Sequence, residues 1–238
     1  MLIIPASIHG YDYKFVQAPA FKDRYNTWVK VEEIYRTLQQ GYRFVIFVDS
    51  DVIFNNLKVP MEPLIDHWNI TSEIAIAAAA APAEPGKYDI HGSINLNTGF
   101  LIIQDTAVTM PMMEDWIACP QDTLYPNCSH WKNEYYHEQS AFSNFIRHDD
   151  RYKAHVREIA CDEANGAPEH KLKGPARCTG RFVRHYWVDK HHIKAAAEEA
   201  IAKVLLPGVR DGLSRQWNQS FVDHSNFPTL GVGSEGQS

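Results

Sequence analysis

Two carboxylates, Asp49 and Asp51, flank Ser50 just after the apolar run Phe44-Val45-Ile46-Phe47-Val48. Oxygen donors at this spacing suit one hard divalent cation, Mg²⁺ or Mn²⁺, or one polar ligand. In an extended segment, side chains two apart point to the same side, so both carboxylates converge if the strand continues. The alternative is a strand followed by an Asp-rich turn. Val52-Ile53-Phe54 resumes the apolar run where a plain turn stays polar. Further along, Gly180 to His192 carries a short apolar piece ending in His185, then Trp187 and Lys190. A histidine at the end of a strand can bring a nitrogen ligand to the metal of Asp49 and Asp51. Lys190 can meet a phosphate as a point charge. A packed histidine beside Tyr186 and Trp187 is the bland alternative.

Two more stretches combine polar groups with buried-strand or helix patterns. Asn95-Leu96-Asn97-Thr98-Gly99 opens a second apolar run through Ile103, and Gly99 permits close approach of a ligand or another backbone. His137-Glu138-Gln139-Ser140 precedes Ala141, Phe142, Phe145 and Ile146, an apolar stripe at helical spacing. Glu138 then stands in the first turn, where a carboxylate suits the helix dipole.

The elements that must position these groups alternate. Ala6 to Gln17 reads as a helix end turning into a short strand. Asn26 is a candidate cap for a helix from Thr27 to Gln40, with Trp28, Val31, Ile34, Tyr35 and Leu38 on one face and Gly41 as stop. Glu32 and Arg36 make an i,i+4 pair. The run before Asp49 follows and reads as a strand buried on both faces, with ligands expected at its C-terminal end. Pro60 and Pro63 bracket a short helix through Trp68. Ile74 to Ala81 reads as a strand, Ala83 to Ile94 as a loop, and Met112 to Ile117 as helix. Residues 150–180 read as a long loop. A last helix from Ile193 buries Ile193, Ala197, Ile201, Val204 and Leu205 and stops at Pro207-Gly208. Residues 231–238 read as a disordered Gly/Ser-rich tail beyond a single domain over 1–230.

Composition narrows the function classes. The 238 residues carry 23 basic and 29 acidic side chains, a formal charge of −6. With no basic run, a nucleic-acid surface is disfavoured. No stretch reaches the roughly 18 apolar residues of a membrane span. The four cysteines, 119, 128, 161 and 178, form no Cys-x-x-Cys, which disfavours a zinc ribbon. Pairing by sequence proximity gives Cys119–Cys128 and Cys161–Cys178. An even cysteine count with sequons at Asn69, Asn127 and Asn218 leans towards a luminal or extracellular compartment.

Taken together, Asp49-Ser50-Asp51, Asn97-Thr98-Gly99-Phe100, Glu138-Gln139-Ser140-Ala141 and His185 with Trp187 resemble, in order and spacing, glycosyltransferase family 34. That family includes fungal α-galactosyl- and α-mannosyltransferases and plant xyloglucan xylosyltransferases. Ile8-His9-Gly10-Tyr11-Asp12-Tyr13 and Trp28-Val29-Lys30 look like its N-terminal part, and the match covers most of residues 6–195. The resemblance implies an α/β GT-A fold, with a central mixed sheet flanked by helices. It implies a metal-dependent, retaining transfer of a hexose, galactose or mannose, from a UDP- or GDP-sugar donor to a glycan acceptor. By the match, Asp49, Asp51 and His185 hold Mn²⁺ or Mg²⁺. Asn97, Thr98 and Gly99 line the sugar site, Trp187 and Lys190 are further substrate-binding residues, and Glu138 and Gln139 lie beside the reacting carbon. It also implies a Golgi-lumenal, membrane-anchored type II protein. The family's first, nucleotide-contacting strand has only Met1 to Pro5 to represent it here, so N-terminal truncation is expected, with the membrane anchor lost upstream.

Three other classes compete, one of them a structural globule left inactive by loss of its first strand. A haloacid-dehalogenase-type phosphatase also places Asp-x-Asp after an apolar strand, with Asp49 as nucleophile and Asp149-Asp150 as a later acidic pair. A non-catalytic sugar-binding remnant would use the aromatics Trp131 and Trp187.

Overall fold

The computed structural model describes residues 3–166, 178–188 and 190–220. Its longest apolar runs make the centre of a sheet. β3 (Ile76–Ala80) and β4 (Leu96–Gln104) pair antiparallel and are almost wholly buried. Period-2 alternation sends Ile76, Ala78, Leu101 and Ile103 into one core and Ala77, Ala79, Phe100 and Ile102 into the other. A strand covered on both faces needs no polar alternation, which is why these segments read as continuous hydrophobic runs. β1 (Phe44–Val48) joins β4 antiparallel and β5 (Val156–Ile159) joins β3 in parallel, giving the order β1-β4-β3-β5. The mixed α/β fold expected from the resemblance is the fold found.

α2 (Val29–Leu38), α4 (Thr109–Ala118) and α5 (His137–Asn144) pack against one core with Trp28, Trp116 and Phe142. α3 (Met61–His67) covers the other, with Met61, Leu64 and Trp68. β2 (Val52–Phe54) and β6 (Val183–His185) form a separate antiparallel pair. α7 (Ile193–Ser220) lies over it through Ala200 and Ile201. Cys119–Cys128 and Cys161–Cys178 are disulfides, the two bonds that sequence proximity gives. Among the described residues no helix is long and apolar enough to cross a membrane.

Several local expectations are corrected. β1 is covered on both faces but sits at the sheet edge, so all five of its residues are only partly buried. Residues 11–17 form no strand: the chain leaves α1 (Ile3–His9) and runs irregularly along a groove whose other bank is β1. Of the segment Met1 to Pro5, the described residues Ile3 to Pro5 are helix rather than strand. Asn26 caps nothing. It opens a 3₁₀ turn, Asn26–Trp28, whose preceding residue is Tyr25, with no side-chain cap.

The last helix does not stop at Pro207 but continues to Ser220. A helical proline frees the carbonyl four residues back. That residue is Lys203, exposed, so water can satisfy it. Leu205 is 59% exposed rather than buried. Ala141, Phe142, Phe145 and Ile146 do pack into one core, but α5 ends at Asn144 and its polar positions are buried too. The tail 231–238 and much of the loop between the last two cysteines, 167–177, lie outside the described residues.

Candidate active site and metal centre

At the end of β1 the Asp49 N–H donates to the Gly99 carbonyl (2.8 Å), prolonging the β1–β4 ladder by one bond. The Val52 N–H then turns back to the Asp49 carbonyl (3.1 Å). Asp49 and Asp51 therefore converge through a tight turn, not through the extended segment that their spacing suggested. β2 leaves this turn, and its partner register sets Val52 opposite His185. The Tyr186 N–H donates to the Asp51 carbonyl (2.9 Å). Two strand ends thus deliver the imidazole to the carboxylates: His185 Nε2 lies 3.2 Å from Asp51 Oδ1.

One ligand atom from each of Asp49, Asp51 and His185 lies within 4.8 Å of the other two. Asp51 and His185 are buried, while the Asp49 carboxylate is about one-third exposed. Two carboxylates and an imidazole match a hard or borderline divalent cation, so the residues present fit Mn²⁺ or Mg²⁺. Lys190 Nζ, on an exposed side chain, reaches Asp51 Oδ2 at 3.0 Å. Burial pushes the Asp51 carboxyl up, but bonds to His185 and Lys190 outweigh it and hold Asp51 well below the usual carboxylate range.

Gly99 is explained by this geometry. A Cβ there would stand 2.7 Å from His185 Nε2 and 2.9 Å from Nδ1, inside the imidazole's van der Waals envelope. The close approach read from the sequence is thus made by a side chain of the same site. Register also helps. Ala79 pairs with Asn97 but Ala78 with Leu101, so Thr98 to Phe100 bulge away from β3. Bulges recur beside active sites because they re-aim side chains. Asn97 Oδ1 accepts from the Gly99 N–H (2.8 Å) and fixes the bulge.

The bulge then grips α5. Thr98 N–H donates to Gln139 Oε1 (3.1 Å), and Thr98 Oγ1 to Glu138 Oε1 (3.0 Å). Glu138 Oε2 accepts from Thr27 Oγ1. Glu138 stands in the first turn of α5 as expected, but it is 3% exposed: tertiary packing has buried a polar stretch.

The link between the two clusters is Lys30. Its Nζ lies 3.1 Å from Asp49 Oδ2 and 3.3 Å from Glu138 Oε1, with 9% of the side chain exposed. Burial opposes its charge, but the Glu138 and Asp49 carboxylates outweigh burial and raise its pKa. The role of Lys30 escaped the sequence reading, although Trp28-Val29-Lys30 already stood out by resemblance. Thr27 and Asn165 escaped it too, and no local signal marks either. Asn165 Oδ1 lies 3.0 Å from His185 Nδ1. The Lys87 ammonium lies 5.1 Å from the Trp187 ring centroid.

The acidic pair of the phosphatase alternative is not at this site. Asp149 is held by Tyr125 and Arg151, and Asp150 pairs with Lys153.

Among solved structures, the chain is similar to a glycosyltransferase involved in the glycosylation of the major capsid of PBCV-1. The TM-score is 0.57 at 16% identity over 82% of this chain and 88% of that one. Mouse xyloside xylosyltransferase 1, in its apo form, gives a TM-score of 0.42 at 10% identity over 67% of this chain and 63% of that one. No family profile and no curated protein matches the sequence. At 16% identity the likeness establishes a shared fold.

Proposed function

We propose that this chain is a metal-dependent retaining glycosyltransferase of the family 34 type, moving a hexose from a nucleotide-diphosphate sugar to a glycan acceptor. One observation carries the reading. Asp49, Asp51 and His185 meet in one place, and Lys30 joins them to Glu138, in a fold shared with a glycosyltransferase. Asp49, Asp51 and His185 would hold Mn²⁺ or Mg²⁺, and when bound the cation supplies Lewis-acid stabilisation of the diphosphate leaving group.

The chain's own residues do the rest. Lys190, exposed and already beside Asp51, can turn from that carboxylate to a phosphate oxygen. Both Glu138 oxygens are engaged by Lys30, Thr98 and Thr27, so the carboxylate is held in one place. Its fixed charge favours the oxocarbenium-like carbon from behind the Thr98 bulge. Gln139, an amide, is a poor covalent nucleophile. We therefore favour front-face attack by the acceptor hydroxyl over a glycosyl-enzyme intermediate. A galactose or mannose donor, the Golgi lumen and family membership belong to this proposal.

The test is nucleoside-diphosphate release from UDP-galactose and GDP-mannose, with and without Mn²⁺. Metal-dependent release that falls at least 10²-fold in Asp51→Ala supports the reading. Metal-independent release, or phosphate release from a generic phosphomonoester, overturns it.

A further inference from the structure

We propose that Asn165 is a positioning residue for His185: its amide fixes the proton on Nδ1 and turns Nε2, as a bare lone pair, towards Asp49 and Asp51. The inference rests on the reading of those three residues as metal ligands. Asn165 is 1% exposed and follows the short helix α6 (Cys161–Ala164). Its Nδ2 donates to the Ala80 carbonyl at 3.0 Å, and a carbonyl can only accept. That bond fixes the amide's orientation and leaves Oδ1 facing His185 Nδ1 at 3.0 Å. Oδ1 can only accept, so the proton between them belongs to the imidazole. In the neutral ring the lone pair is then on Nε2, the nitrogen 3.2 Å from Asp51 Oδ1. A bare lone pair and a carboxylate so close repel, so a positive charge belongs with them: either a second proton on Nε2, which makes the ring an imidazolium donating to Asp51, or a metal cation in its place. The pairing is therefore built for a positive charge. The hydrogen bond made by one imidazole nitrogen sets which nitrogen is free to bind a metal.

The backbone around Asn165 is tied down in the same sense. The Asn165 N–H donates to the Cys161 carbonyl (3.0 Å), and the His185 N–H donates to the Gly166 carbonyl (2.9 Å). Gly166 packs on the backbone of Thr179 and Gly180 so closely that a Cβ would overlap it. The Cys161–Cys178 disulfide joins these two strands of chain. Asn165 and the next residue, Gly166, thus hold His185 by a side-chain bond and a backbone bond respectively.

Two variants separate positioning from mere packing. Asn165→Leu keeps the volume and removes the acceptor; Asn165→Asp keeps an acceptor for Nδ1–H. Both lose the donor to Ala80, so both should melt at a lower temperature than the parent. Mn²⁺ affinity, read from the electron-paramagnetic signal of free Mn²⁺, should fall about 10–100-fold in Asn165→Leu. In Asn165→Asp it should stay within about threefold of the parent, since a carboxylate orients the ring at least as well as an amide. Parent-like affinity in Asn165→Leu, or equal losses in both variants, overturns the proposal.

Ring ¹⁵N–¹H NMR of the parent decides it even if Mn²⁺ does not bind. In that case the metal reading fails alone. His185 should carry a proton on Nδ1, and Asn165→Leu should populate the Nε2–H form. A parent ring protonated on Nε2 only would refute the role of Asn165.

Discussion

Lys30→Met is the perturbation that most directly probes how the site is assembled. The substitution keeps an aliphatic stem of similar length but removes the Nζ that lies 5.0 Å from the Phe47 ring centroid. It removes one charge from between two others. Glu138, 3% exposed, would be left with only the Thr27 and Thr98 hydroxyls. Breaking a buried pair by removing one partner costs about 3–5 kcal/mol, because it strands the other charge. Asp49 adds little, since its carboxylate is about one-third exposed and water can screen it. For a chain of this size, each kcal/mol lowers the melting temperature by roughly 2–4 °C, so a fall of roughly 6–20 °C is expected at neutral pH.

The double variant Lys30→Met/Glu138→Gln should recover part of that loss, because no buried charge is then left unpaired. pH supplies an independent reading. The folded-state pKa of Lys30 is raised. Its contribution is therefore fully present below the unfolded value of about 10.4 and is lost as pH rises through the folded one. The gap between parent and Lys30→Met melting curves should narrow at strongly alkaline pH. Calorimetry across pH 7 to 11 is the assay. A parent-like melting temperature for Lys30→Met, or a gap that widens above pH 10, would refute the argument that Lys30 is the charged link.

Three further outcomes follow from the same geometry. Gly99→Ala should displace the His185 imidazole, which lies inside the space of the new methyl, and weaken Mn²⁺ binding at least tenfold by titration calorimetry while the fold persists. Asp149 is held down to about 2, first by its bond to Arg151 and then by that from Tyr125, against burial. That contribution is present above about pH 3.9 and lost as pH falls towards 2. Because Arg151 is half exposed, it is worth about 1 kcal/mol. Arg151→Gln should therefore melt lower at pH 6, with the gap to the parent shrinking as pH falls through about 2. Replacing Cys161 and Cys178 by serine opens a loop of sequence separation 17, which should cost about 3 kcal/mol and weaken Mn²⁺ binding through Asn165. Insensitivity of both melting and Mn²⁺ binding would contradict the clamp.

Much of this architecture is legible in local sequence, because the signals are local. Leu101 to Ile103 and Ala77 to Ala79 declare strands covered on both faces, since neither side has to be polar. Trp28, Val31, Ile34 and Leu38 declare one buried helical face, and all four are buried. Cysteines 9 and 17 residues apart pair with their neighbours because short loops close cheaply. Asp49 and Asp51 mark themselves by interrupting an apolar run, and Gly99 by standing inside one. Folding itself had to decide which of these pieces meet. The antiparallel register of Val52 with His185 sets the imidazole against the carboxylates across more than a hundred residues, and no local period encodes a register between distant strands. Burial turned the polar start of α5 inward, because Lys30, Thr27 and Thr98 supplied the partners that a buried carboxylate requires. Asn165 carries no sequence mark, since an asparagine's part depends on which donor and acceptor lie on either side. Here those are Ala80 and His185, joined to it by tertiary structure alone.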